Sequence, residues 1–158
     1  MNCGVGYYSA PGAAICSACT PGKYQPNTKS SGCLTCAAGK YIGGTANTAC
    51  STVPAGFYQN KSGTGGYLTC APGTYCPAGT SSPSTCPPGK YSLIKSSACT
   101  VTPAGSYTGT AGSGEATACP VGRYSAASAT ECKLCEAGKI AASTGSTTCT
   151  PCGGGTIQ

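Results

Sequence analysis

Large apolar residues are sparse along the chain, and they recur in one short pattern rather than in a continuous stripe. The pattern is Cys-x2-Gly-x-Tyr, in which Cys and Tyr are the apolar members. No stretch has the apolar spacing of an amphipathic helix. The recurrence therefore predicts small units, each made of a short strand, a Ser/Thr/Gly-rich loop and a second short strand.

The pattern begins ten times, at intervals of 16 or 17 residues. Two copies keep the Gly and Tyr but lack the Cys, and the last two copies carry Ile in place of Tyr. The ten units begin at Cys3, Cys19, Cys36, Val53, Cys70, Cys86, Thr102, Cys119, Cys135 and Cys152. A fixed period predicts one tandem array over residues 1–158, an elongated rod or solenoid whose last unit is incomplete and whose contacts are confined to neighbouring units.

A second Cys lies three residues before the next start in most units. The Val53 unit has Tyr67 at this position and the Thr102 unit has Ala116, so both cysteines of a pair are lost together. Paired loss favours bonding within each unit, and an extra Cys76 provides a partner for Cys70. The predicted disulfides are Cys3–Cys16, Cys19–Cys33, Cys36–Cys50, Cys70–Cys76, Cys86–Cys99, Cys119–Cys132 and Cys135–Cys149.

Zinc binding is the main alternative for these cysteines. Four CxxC pairs straddle unit boundaries, and two consecutive pairs have the ligand spacing of a four-thiolate zinc site. A site built across the Val53 unit would retain only Cys50 and Cys70, which cannot complete a tetrahedral shell. The paired losses therefore favour disulfides, and no metal is expected.

Composition also indicates a disulfide scaffold. The chain has 158 residues with 15 Cys, 25 Gly and 12 Pro, against one Phe and no Trp. Such a chain cannot bury a large apolar core, so covalent cross-links are expected to replace it. Disulfides persist in oxidising compartments, which predicts an extracellular or cell-surface location.

Charge and polarity exclude several classes of function. The net charge is +6, but the basic residues are scattered singly and form no stripe of the kind that binds nucleic acid. No apolar run approaches the length of a membrane span. The chain has no His, and its three acids, Glu115, Glu131 and Glu136, lie in separate units. No acid–base pair is visible, so we expect neither an enzyme nor a cofactor.

Two phrases carry a resemblance to a known family. Cys70 begins Cys-Ala-Pro-Gly-Thr-Tyr-Cys-Pro-Ala-Gly, and Cys86 begins Cys-Pro-Pro-Gly-Lys-Tyr. They resemble the ephrin-receptor-like cysteine-rich repeats of protist and algal surface proteins, and they are similar to the simplest modules of tumour-necrosis-factor receptors. The resemblance implies a small disulfide-rich, mainly β fold of the kind used in stalks, adhesins, surface coats and ligand-binding ectodomains.

The monotonous small-residue loops favour a structural segment of an extracellular filament, appendage or surface coat. The expected partner is the protein itself, arranged head to tail, with Cys152 bonding to another chain or to a continuation of this one. The alternative is a receptor or adhesin ectodomain, which would show exposed apolar anchors.

The sequence allows two interpretations each for the Ser/Thr-rich loops and for the aligned tyrosines. Asn60 begins an Asn-Lys-Ser sequon, and the Ser/Thr loops are typical glycan acceptors, although they could equally be plain polar loops. Eight aligned tyrosines, from Tyr8 to Tyr124, could form a row that stacks carbohydrate or another ligand. Packing of each ring over the adjacent disulfide explains their fixed position more simply.

Overall fold

The computed structural model describes residues 2–153, and it confirms a small disulfide-rich, mainly β repeat array. The described part contains 18 strands of two residues each and no helix. The unit predicted from Cys152 lies largely outside the described residues, because its Gly155 and Ile157 fall beyond them.

The strands form nine two-stranded antiparallel sheets, and each sheet is a hairpin of consecutive strands. In chain order the pairs are β1 (Tyr7–Tyr8) with β2 (Ser17–Ala18), β3 (Lys23–Tyr24) with β4 (Leu34–Thr35), β5 (Lys40–Tyr41) with β6 (Ser51–Thr52), β7 (Phe57–Tyr58) with β8 (Leu68–Thr69), β9 (Thr74–Tyr75) with β10 (Ser84–Thr85), β11 (Lys90–Tyr91) with β12 (Thr100–Val101), β13 (Ser106–Tyr107) with β14 (Thr117–Ala118), β15 (Arg123–Tyr124) with β16 (Lys133–Leu134) and β17 (Lys139–Ile140) with β18 (Thr150–Pro151). In the following, a repeat is named by the residue at which its pattern begins.

The array divides into two compact units. Unit 1 comprises Met1–Cys70 and Cys76–Pro83, and unit 2 comprises Ala71–Tyr75 and Ser84–Gln158. The same repeat architecture occurs in both units, so each can be described by the same set of positions.

A tight turn starts each repeat and explains the fixed Gly. In the Cys19 repeat the amide of Lys23 donates to the carbonyl of Thr20 at 3.0 Å, and Pro21 and Gly22 occupy the two central positions. The φ angle of Gly22 is +80°. A type II turn favours Pro at its first central position and needs a left-handed residue, usually Gly, at the second. The Cys-x2-Gly-x-Tyr pattern therefore encodes a turn followed by the first strand.

The amide of each starting residue after Cys3 bonds to the turn Gly carbonyl of the preceding repeat, as Cys19 does to Gly6 at 2.9 Å. Neighbouring repeats are also joined by main-chain hydrogen bonds at three further positions. The Gly6 amide donates to Gln25 at 2.7 Å, the Ser9 amide donates to Ser30 at 3.0 Å, and the Cys3 carbonyl accepts from Lys29 at 2.9 Å. The same three bonds join the Cys86 repeat to the Thr102 repeat in unit 2: Gly89 donates to Thr108, Ser92 donates to Ser113, and Cys86 accepts from Gly112. Side-chain identity is not required for this ladder.

Six of the turn glycines also closely approach the repeat two places farther along the chain. A Cβ atom built on Gly22 would clash with the Gly63 carbonyl, and one built on Gly105 would clash with the Gly145 carbonyl. The expectation that contacts are confined to neighbouring repeats is therefore wrong. The Val53 repeat lies close to Gly22 because its loop residue Gly63, with φ +72°, donates its amide to the Cys36 carbonyl of the intervening repeat.

The small core is made by two positions of the repeat. The starting residue is almost fully buried whether it is Cys36, Val53 or Thr102. The residue six places later is buried in most repeats, and in two of them it is a glutamine. Gln25 Nε2 donates to the Gly32 carbonyl at 2.6 Å, while its Oε1 accepts from Asn27, and Gln59 makes the equivalent bonds. Each amide thus closes its own loop and satisfies its buried polar atoms.

Candidate functional site: the disulfide row and the cysteine-free repeats

Seven disulfides join cysteines within repeats, with Cα–Cα distances of 5.6 to 6.1 Å. The bonded pairs are Cys3–Cys16, Cys19–Cys33, Cys36–Cys50, Cys70–Cys76, Cys86–Cys99, Cys119–Cys132 and Cys135–Cys149. Six of them close loops with a sequence separation of 13 or 14 residues. Each such loop contributes about 3 kcal/mol in the chain-entropy model.

In three of the four CxxC pairs the two cysteines belong to different disulfides, and in the fourth only Cys149 is bonded. Cys16 bonds back to Cys3, whereas Cys19 bonds forward to Cys33. Among residues 2–153, no group of three or more His, Cys, Asp or Glu side chains is arranged to hold a metal ion. In this structure the thiolates that a zinc site would need are already joined to other cysteines.

The Val53 repeat replaces its disulfide with packed rings. Val53 is completely buried at the starting position, and Tyr67 stands where the second Cys would be. The Tyr67 ring makes edge contacts with the rings of Tyr41 and Phe57, at centroid distances of 4.7 and 4.9 Å. Edge-to-face geometry is favourable for aromatic pairs. This group of three rings is called the aromatic cluster below.

The Thr102 repeat replaces its disulfide with a buried hydrogen bond. Thr102 is completely buried, and its Oγ1 lies 2.8 Å from the Oγ1 of Thr108. A Ser125 hydroxyl from the next repeat donates to the Ser106 carbonyl at 2.8 Å. The second cysteine position holds Ala116, whose small side chain provides no cross-link.

The Cys70 repeat shows why these two threonines meet. Cys76 stands six places after the start, as Thr108 does, and bonds to the starting residue Cys70. These two positions are therefore neighbours in space, joined by a disulfide in one repeat and by a hydrogen bond in another. The sequence showed the extra Cys76 but gave no sign that Thr102 and Thr108 are its equivalents.

The eight aligned tyrosines are all partly exposed, each at the end of the first strand of its hairpin. Among the described residues, Tyr41 is the one aligned tyrosine whose ring pairs with another ring, that of Tyr67 in the aromatic cluster.

Two further predicted residues are at the surface. Asn60 is exposed in the loop that follows the Val53 repeat's first strand, so its sequon is accessible. Cys152 is exposed and lies in none of the seven disulfides. Its amide donates to the Gly138 carbonyl at 2.9 Å, the same bond that other starting residues make to the turn Gly of their preceding repeat.

The acids are exposed and apart. Only Glu136 has an ion pair in the described part of the chain, with Lys139 Nζ at 2.8 Å. The hydrogen bond from Lys139 and its positive charge lower the pKa of Glu136, and the same hydrogen bond and the Glu136 charge raise the pKa of Lys139. Because both side chains are exposed to solvent, this pair adds little to stability.

Residues 6–46 match the family model described as tyrosine-protein kinase ephrin type A/B receptor-like. The match begins at the turn Gly of the first repeat and ends in the loop of the third. The predicted resemblance to ephrin-receptor-like cysteine-rich repeats is confirmed over this segment. No curated protein matches the chain. Repeats of this family and a high density of disulfides are both typical of extracellular domains. The described residues contain no helix long and apolar enough to cross a membrane.

Proposed function

We propose that this chain is a repeating segment of an extracellular filament, appendage or surface coat, and that it catalyses no reaction. The observation that carries the proposal is the main-chain ladder between neighbouring repeats. Because the ladder uses amides and carbonyls, any further repeat of the same backbone shape can add to it. A chain of this design grows by addition and needs no interface side chains, provided that the turn Gly is kept.

The first repeat has a main-chain donor and a main-chain acceptor that could bond to a further repeat before it. In later repeats, the residue equivalent to Ser9 accepts through its carbonyl, and the loop residue equivalent to Gly12 donates through its amide. Neither the Ser9 carbonyl nor the Gly12 amide has a main-chain partner among residues 2–153. A further repeat, from a longer chain or from a second copy, would supply both partners. Head-to-tail addition of this kind is heterologous and open-ended.

Electron microscopy of the purified protein tests the proposal. We expect linear assemblies, and we expect them to disappear when a folded domain is fused directly before Asn2. The same domain on a flexible linker of about 30 residues leaves the first repeat accessible and is the matched control. Monodisperse single particles at all concentrations, with no assembly in either fusion, would contradict the filament.

A receptor or adhesin ectodomain is the second candidate, and one observation favours it. Leu93 and Ile94 are adjacent, and both are 60% exposed in a loop of unit 2. Contiguous exposed apolar side chains are typical of surfaces that bind protein partners. A monomeric particle that loses partner binding in Leu93→Ser/Ile94→Ser would favour this candidate over the filament.

Glycosylation is part of the proposal, since Asn60 and the neighbouring Ser62 are exposed. We expect the native intact mass to exceed that of the bare chain, and Asn60→Gln to remove one N-linked increment. A native mass equal to that of the bare chain would leave the loops unmodified.

A further inference from the structure

A shallow surface cavity recurs at the same place in four repeats. Each cavity is lined by the Tyr of one repeat together with a cation and the second Cys of the next repeat. The four combinations are Tyr8 with Lys23 and Cys33, Tyr24 with Lys40 and Cys50, Tyr107 with Arg123 and Cys132, and Tyr124 with Lys139 and Cys149. Recurrence at one register shows that the repeat itself builds the cavity.

In the two cavities of unit 2, the cation already bonds to a group of the protein. The Arg123 guanidinium donates to the Cys132 carbonyl at 2.9 Å, and Lys139 pairs with Glu136. Glu131 and Glu136 also line these cavities, which have volumes of about 250 and 230 Å³. An anionic ligand would meet a carboxylate in each of them.

The two cavities of unit 1 are different. Each has a volume of about 320 Å³, and no acidic residue lines either one. The ammonium groups of Lys23 and Lys40 have no hydrogen-bond or ion-pair partner within the described chain. All three acids of the protein lie in the sequence of unit 2. Unit 1 therefore carries two equivalent cavities on consecutive repeats, each with a partly exposed Tyr and an unpaired Lys.

The next repeat shows this cavity filled. At the equivalent positions the Val53 repeat has Phe57 in place of Lys and Tyr67 in place of the second Cys, and both rings pack together as the aromatic cluster with Tyr41. The Val53 repeat is an internal example of the same site without a cation and without space.

We infer that the Tyr8/Lys23 and Tyr24/Lys40 cavities bind two residues of one acidic polysaccharide chain built of uronic acids. The volume is at the lower end of the range for small-ligand pockets and suits one sugar ring. The tyrosine provides an apolar surface and a polar hydroxyl for that ring, and the lysine provides a charge-assisted hydrogen bond to its carboxylate. Two linked weak sites gain affinity through effective concentration.

Calorimetric titration with a galacturonic acid oligomer of about ten residues tests the inference, at low salt where charge contacts are least screened. Lys23→Gln/Lys40→Gln removes both cavity charges, and we expect affinity to fall at least about tenfold, the equivalent of 1.4 kcal/mol. Lys29→Gln/Lys61→Gln removes two exposed charges of unit 1 from outside the cavities. This matched double variant should change affinity by less than about twofold if location rather than net charge decides.

A second pair of variants separates sugar binding from anion binding. Tyr8→Leu/Tyr24→Leu should weaken binding of the galacturonic acid oligomer and leave the weaker binding of polyphosphate unchanged. The fully methyl-esterified oligomer, which keeps the rings and loses the charges, should not bind. Equal loss in the two lysine variants would overturn the inference, as would no loss in either. Polyphosphate, DNA or anionic vesicles binding through Lys23 and Lys40 as tightly as the oligomer would overturn it too.

Discussion

The two cysteine-free repeats have lost the same disulfide but compensate for it differently. In the Val53 repeat, an apolar starting residue is buried and the lost second Cys is replaced by Tyr67, which packs against two other rings. In the Thr102 repeat, the starting residue is polar and bonds to Thr108, and Ala116 fills the second position. One repeat uses apolar contact at the surface and the other uses a buried hydrogen bond.

The difference shows which requirements of the fold are strict. The starting residue must be buried and must leave no polar atom without a partner, whatever its chemistry. The covalent bond itself can be omitted, because both repeats keep the turn Gly, the hairpin and the main-chain hydrogen bonds to their neighbours. Disulfides therefore strengthen a repeat whose geometry is set by its backbone.

The largest effect is expected where the backbone itself is obstructed. Gly105 and Gly122 have similar φ angles, +83° and +80°, but only Gly105 faces a carbonyl, that of Gly145. Gly105→Ala combines a left-handed alanine with overpacking, so we expect a loss of about 2 to 5 kcal/mol in the free energy of unfolding. Gly122→Ala has no such neighbour within 4 Å among the described residues, so it should cost only about 1 to 2 kcal/mol. Equal losses in chemical denaturation would show that the close approach is unimportant.

The next effect concerns the hydrogen bond of the Thr102 repeat. Thr102→Val leaves the Thr108 hydroxyl buried without its partner, and we expect a loss of about 2 kcal/mol. Thr102→Val/Thr108→Val removes both polar groups and should recover most of that loss. A double-mutant cycle in urea measures the coupling between the two sites, and a coupling near zero would mean that the bond does not stabilise the repeat.

A smaller effect is expected for the aromatic cluster, because Tyr67 is 39% exposed. Tyr67→Ala removes two edge contacts and should cost about 1 kcal/mol, whereas Tyr67→Phe keeps the ring and should be nearly neutral. Hydrogen exchange of the Leu68 and Thr69 amides reports the local effect. Unchanged exchange in Tyr67→Ala would mean that the rings do not replace the missing disulfide.

The exposed ion pair provides the smallest effect. The lowered pKa of Glu136 adds stability that is present above its ordinary value and lost as the pH falls, and the raised pKa of Lys139 adds stability that is present below its ordinary value and lost as the pH rises. Both groups are solvated, so Glu136→Gln should shift Tm by less than about 1 °C at neutral pH. A larger shift, or one that persists in high salt, would contradict this assignment.

Much of this architecture could be predicted from the sequence because Cys and Gly recur at the same positions in most repeats. The hairpins, the turn and the repeat-by-repeat bonding follow from the spacing of Cys36, Gly39 and Cys50 and its copies. The position six places after the start, which is buried in most repeats, could not be predicted, since it holds Gln, Ser, Thr, Cys, Ala and Ile in different repeats. Its residues look like ordinary loop residues until the main-chain ladder places them inside.

The aromatic cluster was partly visible in the sequence. Tyr67 stands at the position of the second Cys, but nothing in the spacing indicated that Phe57 and Tyr41 would meet it. The cavities were not visible at all, because each is shared between residues of two repeats. Aligning the repeats and looking for a cation one place before each Tyr, as at Lys23 and Lys40, is the signal that could have suggested them.

The central claim is that each disulfide joins two cysteines of the same repeat. The two cysteine-free repeats keep the same backbone structure without a disulfide. Peptide mapping by mass spectrometry without reduction, on native protein with free thiols blocked, tests it most directly. The account predicts the seven within-repeat pairs, including Cys70–Cys76, and no bridge inside any CxxC pair. A Cys16–Cys19 bridge, or free thiols at these positions with bound zinc, would contradict it.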